Sequence, residues 1–343
     1  RLIDRAGLGT IDFDHKFVAI KIHFGEMGNL AYLRPQYARA LAAYIKERGG
    51  LPFLTDCNTL YVGSRKNALE HIETAYINGY TPYATGCQVI IADGVRGTDE
   101  AYIPIGCEEV KTAKIGRAIA DADIIISLNH FKGHEDAGFG GALKNLGMGS
   151  GSRAGKMEMH YDGKPVVDRD RCRGCRKCAT ICANDGIHYE SSKAVIDYDN
   201  CVGCGRCIAI CSFDAIKPHN SSSAASLNRR IAEYAYAVVK DKPNFHISIA
   251  ADISPNCDCH PENDAPIVPN IGMFASFDPV AIDLAAADAV NAMPANPRSA
   301  LSEAECRCHD HFINVHPNTN WRVQIEHGEE IGLGSSEYEL IRI

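Results

Sequence analysis

No apolar run in this 343-residue sequence approaches the ~18 residues of a membrane-spanning helix. The best, Ala122 to Leu128 (ADIIISL), has the length of a buried strand, so no membrane span is expected. A surplus of positive charge is also lacking. Lys and Arg number 35 against 43 Asp and Glu, a formal net charge of −8, which argues against a nucleic-acid surface. The chain opens on Arg1 without Met and shows no basic–apolar–small-residue leader, so a signal peptide is expected to be absent or already removed.

Composition is otherwise that of a globular protein, with 45% hydrophobic and 23% charged residues. A chain of this length can form two domains, or one large domain with an insertion, and bury roughly 75% of its unfolded surface without staples. Cysteine is the exception. Its 15 copies are too sparse for a disulfide scaffold, and the count is odd. Eight fall between Cys172 and Cys211 at metal-type spacing, which points to metal ligation in a reducing compartment. The cytoplasm of an anaerobe or low-oxygen cell is the expected location.

Strand and helix signals alternate along the first part of the chain. FVAIKIH (Phe17 to His23) reads as a strand, Arg34 to Arg48 as a helix stopped by Gly49-Gly50, and LPFLTD as the next strand. Ser64 to Ile77 reads as a helix opened by a capping serine and closed by Asn78-Gly79. QVIIAD and IIISL are short apolar runs of buried-strand type. The pattern stops near Asp162 and resumes near Ser222. Beyond it, Ala225 to Lys240 reads as a helix, Phe245 to Ile253 as a strand, Asp278 to Met293 as a helix, and IGLGSSEYELIRI as a turn plus a strand. The expected fold class is α/β. A mostly parallel-sheet domain (1–163 and 222–343) is interrupted by a small α+β module at 164–221.

That module carries two copies of C-x2-C-x2-C-x3-C: Cys172, Cys175, Cys178, Cys182, and 29 residues later Cys201, Cys204, Cys207, Cys211. In this spacing three thiolates wrap one corner of a cubane, and the fourth ligates the other cluster. One [4Fe-4S] cluster is thus expected on Cys172, Cys175, Cys178 and Cys211, the other on Cys201, Cys204, Cys207 and Cys182. Zinc also accepts paired C-x2-C, but four cysteines in eleven residues, repeated, crowd a tetrahedral ion. The segment resembles bacterial-type two-cluster ferredoxins, including the Gly186-Ile187 and Ala215-Ile216 that trail each motif. It departs from them at Ala183 and Ser212, where the ferredoxins have proline. Eight Lys and Arg against seven Asp and Glu leave Val166 to Asn220 at a net +1, which suits an internal relay better than a free-standing carrier.

The second informative stretch is HFKGHEDAGFGGALKNLGMG, His130 to Gly149, with two histidines four residues apart and six glycines. Strand IIISL runs straight into it, and open α/β sheets place ligands at carboxyl ends of strands. Its glycines are neither GxGxxG nor a P-loop, so no nucleotide motif is read. Gly140-Gly141 is expected to open a helix whose N-terminus receives an anion, with Lys144 adding charge. The candidate catalytic residues are Lys144, His134 and His130. Gly138, Gly140, Gly141 and His23 are the candidate cofactor-binding residues, and Thr55 to Asn58 has a weaker claim. Tight turns and satisfied histidines would give the same pattern. A third constellation, Cys257, Cys259 and His260 with Cys306, Cys308 and His309, invites a further thiolate–imidazole metal site. The rival readings are a redox-active or substrate-facing role and a set of inert loop cysteines.

The flanking segments VAIKIHFGEMGN, LTDCNTLYVGSR, NHFKGHEDAGFGGALKNLGMG, CDCHPENDAPIVPNIGMFASFDPVAID and GLGSSEYEL resemble the domain-of-unknown-function family numbered 362. That resemblance covers nearly the whole chain and implies a cytoplasmic microbial iron–sulfur protein, without a substrate. Gly138 to Lys144 is also similar to the GF-x-GG-x-K run of lactate racemase, in which the lysine anchors a nickel pincer nucleotide and nearby histidines bind metal or move protons. Here His134 stands ten residues before Lys144 and His160 sixteen after it, while Ala142 replaces a proline.

Together these features lead to the expectation of an iron–sulfur oxidoreductase. Two clusters would relay electrons between a redox partner protein or small donor and a small molecule in the α/β crevice. The alternatives are a non-catalytic electron-transfer subunit of a larger complex, and a racemase-like enzyme with structural clusters.

Overall fold

The structure, a computed structural model, describes residues 1–60, 63–161, 164–182, 184–201, 203, 205–218, 223–305 and 308–343. Its strands are β1 (Phe17–Lys21), β2 (Leu51–Asp56), β3 (Gln88–Ile91), β4 (Glu100–Pro104), β5 (Thr112–Gly116), β6 (Ile124–His130) and β7 (Lys132–His134). They continue as β8 (Gly138–Gly140), β9 (Pro165–Val167), β10 (Ile187–Glu190), β11 (Lys193–Ile196), β12 (Ile216–Pro218), β13 (Asn244–Ala250) and β14 (Gly272–Ser276). Six of them form the central sheet in the order β14-β13-β6-β1-β2-β3. Every pairing in it is parallel except the β13–β14 edge. The protein is therefore a mixed α/β fold on a mostly parallel sheet, and strands from both sides of the cysteine-rich segment share that sheet.

Why the central strands read as unbroken apolar runs follows from their burial on both faces. Val18, Ile20, Ile124 and Ile126 enter one core, which the helix Pro35–Lys46 covers with Leu41 and Ile45. Ala19 and Ile125 point the other way, into the core shared with Leu143, Leu146 and Ile231. Gly147 sets the helix crossing on that face: a Cβ there would lie 2.1 Å from the Ile231 carbonyl oxygen, so the helices Ala142–Ser150 and Ala224–Val239 touch backbone to backbone. No described helix is long and apolar enough to cross a membrane.

Two expectations about elements need correction. The helix after β2 begins at Ala68, not Ser64, because Asn67 is its cap and accepts from Leu69 and Glu70 N–H at 3.1 Å each. Ser64 instead binds Glu26 and Thr74. The C-terminal segment from Ile331 forms no strand: Leu340, Ile341 and Ile343 lie exposed and pair with no sheet edge. The preceding residues form a helix, Arg322–Glu330, that the residue pattern did not signal.

The cysteine-rich segment builds two small antiparallel pairs, β9–β12 and β10–β11, with the short helices Lys177–Ile181 and Arg206–Ile210 between them. Corresponding positions of the two repeats share an unusual backbone: Arg176 and Gly205 precede their helices at φ of 66° and 65°. The third core cluster gathers Cys172, Cys178, Cys207 and Cys211 with Leu60 and Met157 of the surrounding fold.

Candidate active-site crevice and cysteine cavities

The parallel strands end on one crevice, a cavity of ≈ 70 Å³. Lys21 closes β1 and Asp56 closes β2, and the ammonium and carboxylate meet at 2.9 Å, both buried. Burial opposes the Asp56 charge, yet the Lys21 ammonium holds the carboxyl well below the usual carboxylate range. Gly149 makes the space, since a Cβ there would sit 2.4 Å from the Lys21 Nζ. Arg65 crosses behind this pair, donating to Glu26 at 3.0 Å and lying 2.9 Å from the His23 Nε2. The Gly25 N–H faces the other His23 ring nitrogen. Burial and the neighbouring guanidinium push the His23 imidazole down to about 3, so it stays neutral.

The hairpin β7–β8 supplies the opposite wall. His130 is held at both ring nitrogens, by Asp258 at 2.9 Å and by the Ala251 carbonyl at 2.8 Å. It therefore pins the loop and offers no open lone pair to a metal or a substrate proton. The His134 Nδ1 accepts the Asp136 and Ala137 N–H groups, which leaves Nε2 facing Cys257 as a donor. Lys132 and Lys144 run side by side past Gly140, where a Cβ would meet them at 3.1 and 3.3 Å. The Lys144 Nζ lies 3.6 Å from the Cys257 Sγ. Burial works against the Lys144 charge, but Cys257, Cys259 and Glu135 outweigh it and raise the ammonium above its ordinary value. Lys156, also buried, points its Nζ at the Gly151 carbonyl at 2.6 Å. Burial, Lys144 and His134 lower His160 to about 3.

Cys257 and Cys259 flank the buried Asp258 in a tight turn closed by the His260 N–H to the Cys257 carbonyl at 3.1 Å. The Cys259 hydrogen bond, helped by Lys144, lowers the Cys257 thiol well below its ordinary range against the cost of burial, and the Cys259 thiol is pushed up. Beside them Glu135 and His260 pair at 2.8 Å, which raises the imidazole to about 9. Glu135, Cys259 and His260 present ligand atoms within 4.8 Å of one another and could share a metal ion. Of the second C-x-C-H unit, Cys308 is exposed with its sulfur 3.7 Å from the Asn314 Oδ1, His309 is exposed, and Cys306 lies outside the described residues.

The expected anion site at the start of the glycine-rich helix is already filled. Asp283, 141 residues away, accepts the Ala142 N–H at 2.6 Å and the Leu143 N–H at 2.9 Å, and a Cβ on Gly141 would strike its carboxylate at 2.2 Å. Gly138 packs against Trp321 rather than opening on the crevice. So Lys144, His134, His130 and His23 are brought to one cavity with Gly140 as spacer. Gly138 and Gly141 serve packing.

The repeated cysteines line two further cavities of ≈ 20 Å³ each. One is bounded by Cys172, Cys175, Cys178 and Cys211, the other by Cys182, Cys201 and Cys207. Cys204 lies outside the described residues. Main-chain N–H groups of Ala194, Ala215 and Gly186 point at the sulfurs of Cys172, Cys211 and Cys182 at 3.3–3.4 Å. The Cys175 edge is exposed, with Arg173, Arg176 and Lys177 around it. The other cavity borders the helix Arg153–Tyr161. Gly205, on its wall, packs on the helix Arg153–Tyr161, where a Cβ would lie 2.9 Å from the Arg153 Cγ and 3.4 Å from the Met157 Cγ. The same helix sends Lys156 and His160 into the crevice, and Leu60 lines the crevice while packing in the cysteine cluster.

Lys21, Lys132, Arg65, Glu135 and Lys156 were not singled out from sequence. A lysine inside the apolar run FVAIKIH was the one signal for Lys21. Lys132 and Glu135 stand inside the quoted stretch HFKGHEDAGFGG, and nothing local marks Arg65 and Lys156.

The family model for DUF362, a domain of unknown function, matches residues 18–288. No curated protein sequence matches the chain. Among solved structures, the lactate racemase apoprotein from Thermoanaerobacterium thermosaccharolyticum is similar with a TM-score of 0.40 at 13% identity, over 80% of this chain and 48% of that one. A protein from Thermotoga maritima gives 0.37 at 13% identity, over 72% of this chain and 49% of that one. The chain thus spans about half the length of the solved chains it matches.

Proposed function

The chain belongs to the DUF362 family, a domain of unknown function, and we propose that it is an iron–sulfur oxidoreductase whose two [4Fe-4S] clusters pass electrons to or from a small molecule in the crevice. On this reading residues 164–221 are a ferredoxin-like insertion in the α/β domain. Cys172, Cys175, Cys178 and Cys211 hold one cluster, and Cys182, Cys201, Cys204 and Cys207 hold the other.

The observation that carries the proposal is the helix Arg153–Tyr161. One side of it packs on Gly205 in the wall of the second cysteine cavity, and from the same helix Lys156 and His160 reach the crevice. A cluster there would stand one helix from a bound molecule. The three N–H groups aimed at cysteine sulfurs suit the donor set, since hydrogen bonds to thiolate sulfur tune cluster potentials. When bound, the clusters supply one-electron redox chemistry. The protein's part is to seat the substrate. Lys21, Lys132 and Lys156, all buried, and the half-buried Lys144 line the cavity, which favours an anionic molecule.

Anaerobic purification with metal analysis and mass spectrometry of co-purifying small molecules tests this. The expected result is about eight irons per chain, four per cubane, and an anionic molecule released on denaturation. A chain that binds two zinc ions and no iron sinks the reading.

A further inference from the structure

We propose that Cys257 and Cys259 are a redox-active dithiol in the crevice wall, closing to an intramolecular disulfide as it gives two electrons to the cluster relay and opening as it takes them back. This rests on the relay reading above and names the group with which the clusters exchange electrons.

The turn supplies the geometry. With the His260 N–H on the Cys257 carbonyl, Cys257 and Cys259 are the first and third residues of a four-residue turn. Such a turn keeps their Cα atoms inside the roughly 4.4–6.8 Å that a disulfide spans. Asp258 between them turns away: its carboxylate binds His130 at 2.9 Å, and its carbonyl accepts the Glu26 N–H at 2.9 Å. That anchoring leaves the two cysteines on the crevice side, where both line the cavity. Lys144 at 3.6 Å and the His134 ring N–H both face the Cys257 sulfur, the arrangement that stabilises an attacking or leaving thiolate.

The electrons balance. Closing the pair forms one S–S bond from the Cys257 thiolate and the Cys259 thiol, and releases one proton to crevice water and two electrons. Clusters held by the eight cysteines would take one electron each, so one full relay would match one disulfide. Opening reverses every step. The competing use of these groups is a metal ion shared by Glu135, Cys259 and His260. It would have to part the Glu135–His260 contact, already closed at 2.8 Å.

The test uses the anaerobic full chain with its clusters. One sample is oxidised with thionine, a second is then reduced with methyl viologen radical, and both are quenched in acid and alkylated with N-ethylmaleimide for peptide mass spectrometry. The expected oxidised peptide carries no label on Cys257 or Cys259 and is two hydrogens lighter. The reduced one carries two labels, and Cys259→Ser leaves Cys257 labelled in both. In Cys207→Ser, viologen should fail to open the disulfide while dithiothreitol still opens it, which also shows that the crevice has kept its fold. Two labels under every condition, with clusters that respond to viologen, overturns the dithiol. So does label blocked until a chelator strips one stoichiometric metal ion. Viologen opening that is undiminished in Cys207→Ser would keep the dithiol and overturn the relay.

Discussion

The Lys144 ammonium lies 3.6 Å from the Cys257 sulfur inside a buried crevice. The two residues are 113 positions apart in sequence and belong to a helix start and a loop turn. Each holds the other in its charged form, the lysine raised and the thiol lowered. The thiolate is therefore expected well below the pH at which an ordinary cysteine ionises. In Lys144→Met the alkylation profile of Cys257, followed by peptide mass spectrometry, should shift to higher pH. Since one pKa unit is tenfold in thiolate fraction, labelling near pH 6 should slow roughly tenfold or more. An unchanged profile would mean that the contact has no electrostatic weight.

Gly205 and Arg176 occupy equivalent places in the two cysteine repeats, at nearly the same positive φ. Arg176 tolerates a side chain because its repeat faces solvent. Gly205 cannot, because a Cβ there would press on the Arg153 Cγ at 2.9 Å. Gly205→Ala combines backbone strain with overpacking against the helix Arg153–Tyr161 and should cost about 1–3 kcal/mol. Arg176→Ala should leave stability nearly unchanged. Thermal unfolding of the two variants side by side decides it, and equal melting temperatures would mean that the cysteine-rich segment does not pack on the helix Arg153–Tyr161 as described.

Much of this fold was legible because burial on both faces makes a parallel strand an unbroken apolar run. LPFLTD was bounded correctly for that reason, and Phe17 to Lys21 nearly so. The crevice was only half legible. Lys144, His134 and Cys257 stand in a glycine-rich stretch or a cysteine motif, and both announce themselves. Lys156 and Arg65 do not, because their meaning comes from partners brought in by the sheet. The same holds for the cap on the glycine-rich helix: nothing near Gly141 shows that Asp283 will fill the place where an anion was expected.

Asp283 also gives a pH prediction. Burial drives its carboxyl up to about 7, although the Ala142 and Leu143 N–H groups favour the charged form. Its folded value stands above an unfolded value near 4. The folded state therefore binds the extra proton between the two, and stability should fall as pH rises from about 4 to 7. Asp283→Asn keeps the shape and cannot ionise, so its denaturant midpoint should be flatter across that window. Parallel curves for the two proteins would show that the carboxyl titrates normally.

The two cysteine cavities differ in exposure, and on the relay reading that difference orders the electron path. Cys175 sits at the surface among Arg173, Arg176 and Lys177, whereas the other cavity lies against the helix Arg153–Tyr161. Loss of the outer cluster should then cut the protein off from its donor but not from its crevice. Cys175→Ser is expected to fall from about eight irons to about four and to keep one reducible cluster by electron paramagnetic resonance. Reduction by a protein donor should slow, because the exposed edge is where a partner can come close. Cys207→Ser should do the reverse: the outer cluster still reduces, and the crevice no longer receives electrons. If both variants lose all iron, the clusters are one folding unit and the path cannot be ordered by exposure. If Cys175→Ser is reduced by the protein donor as fast as the parent, electrons enter at another face.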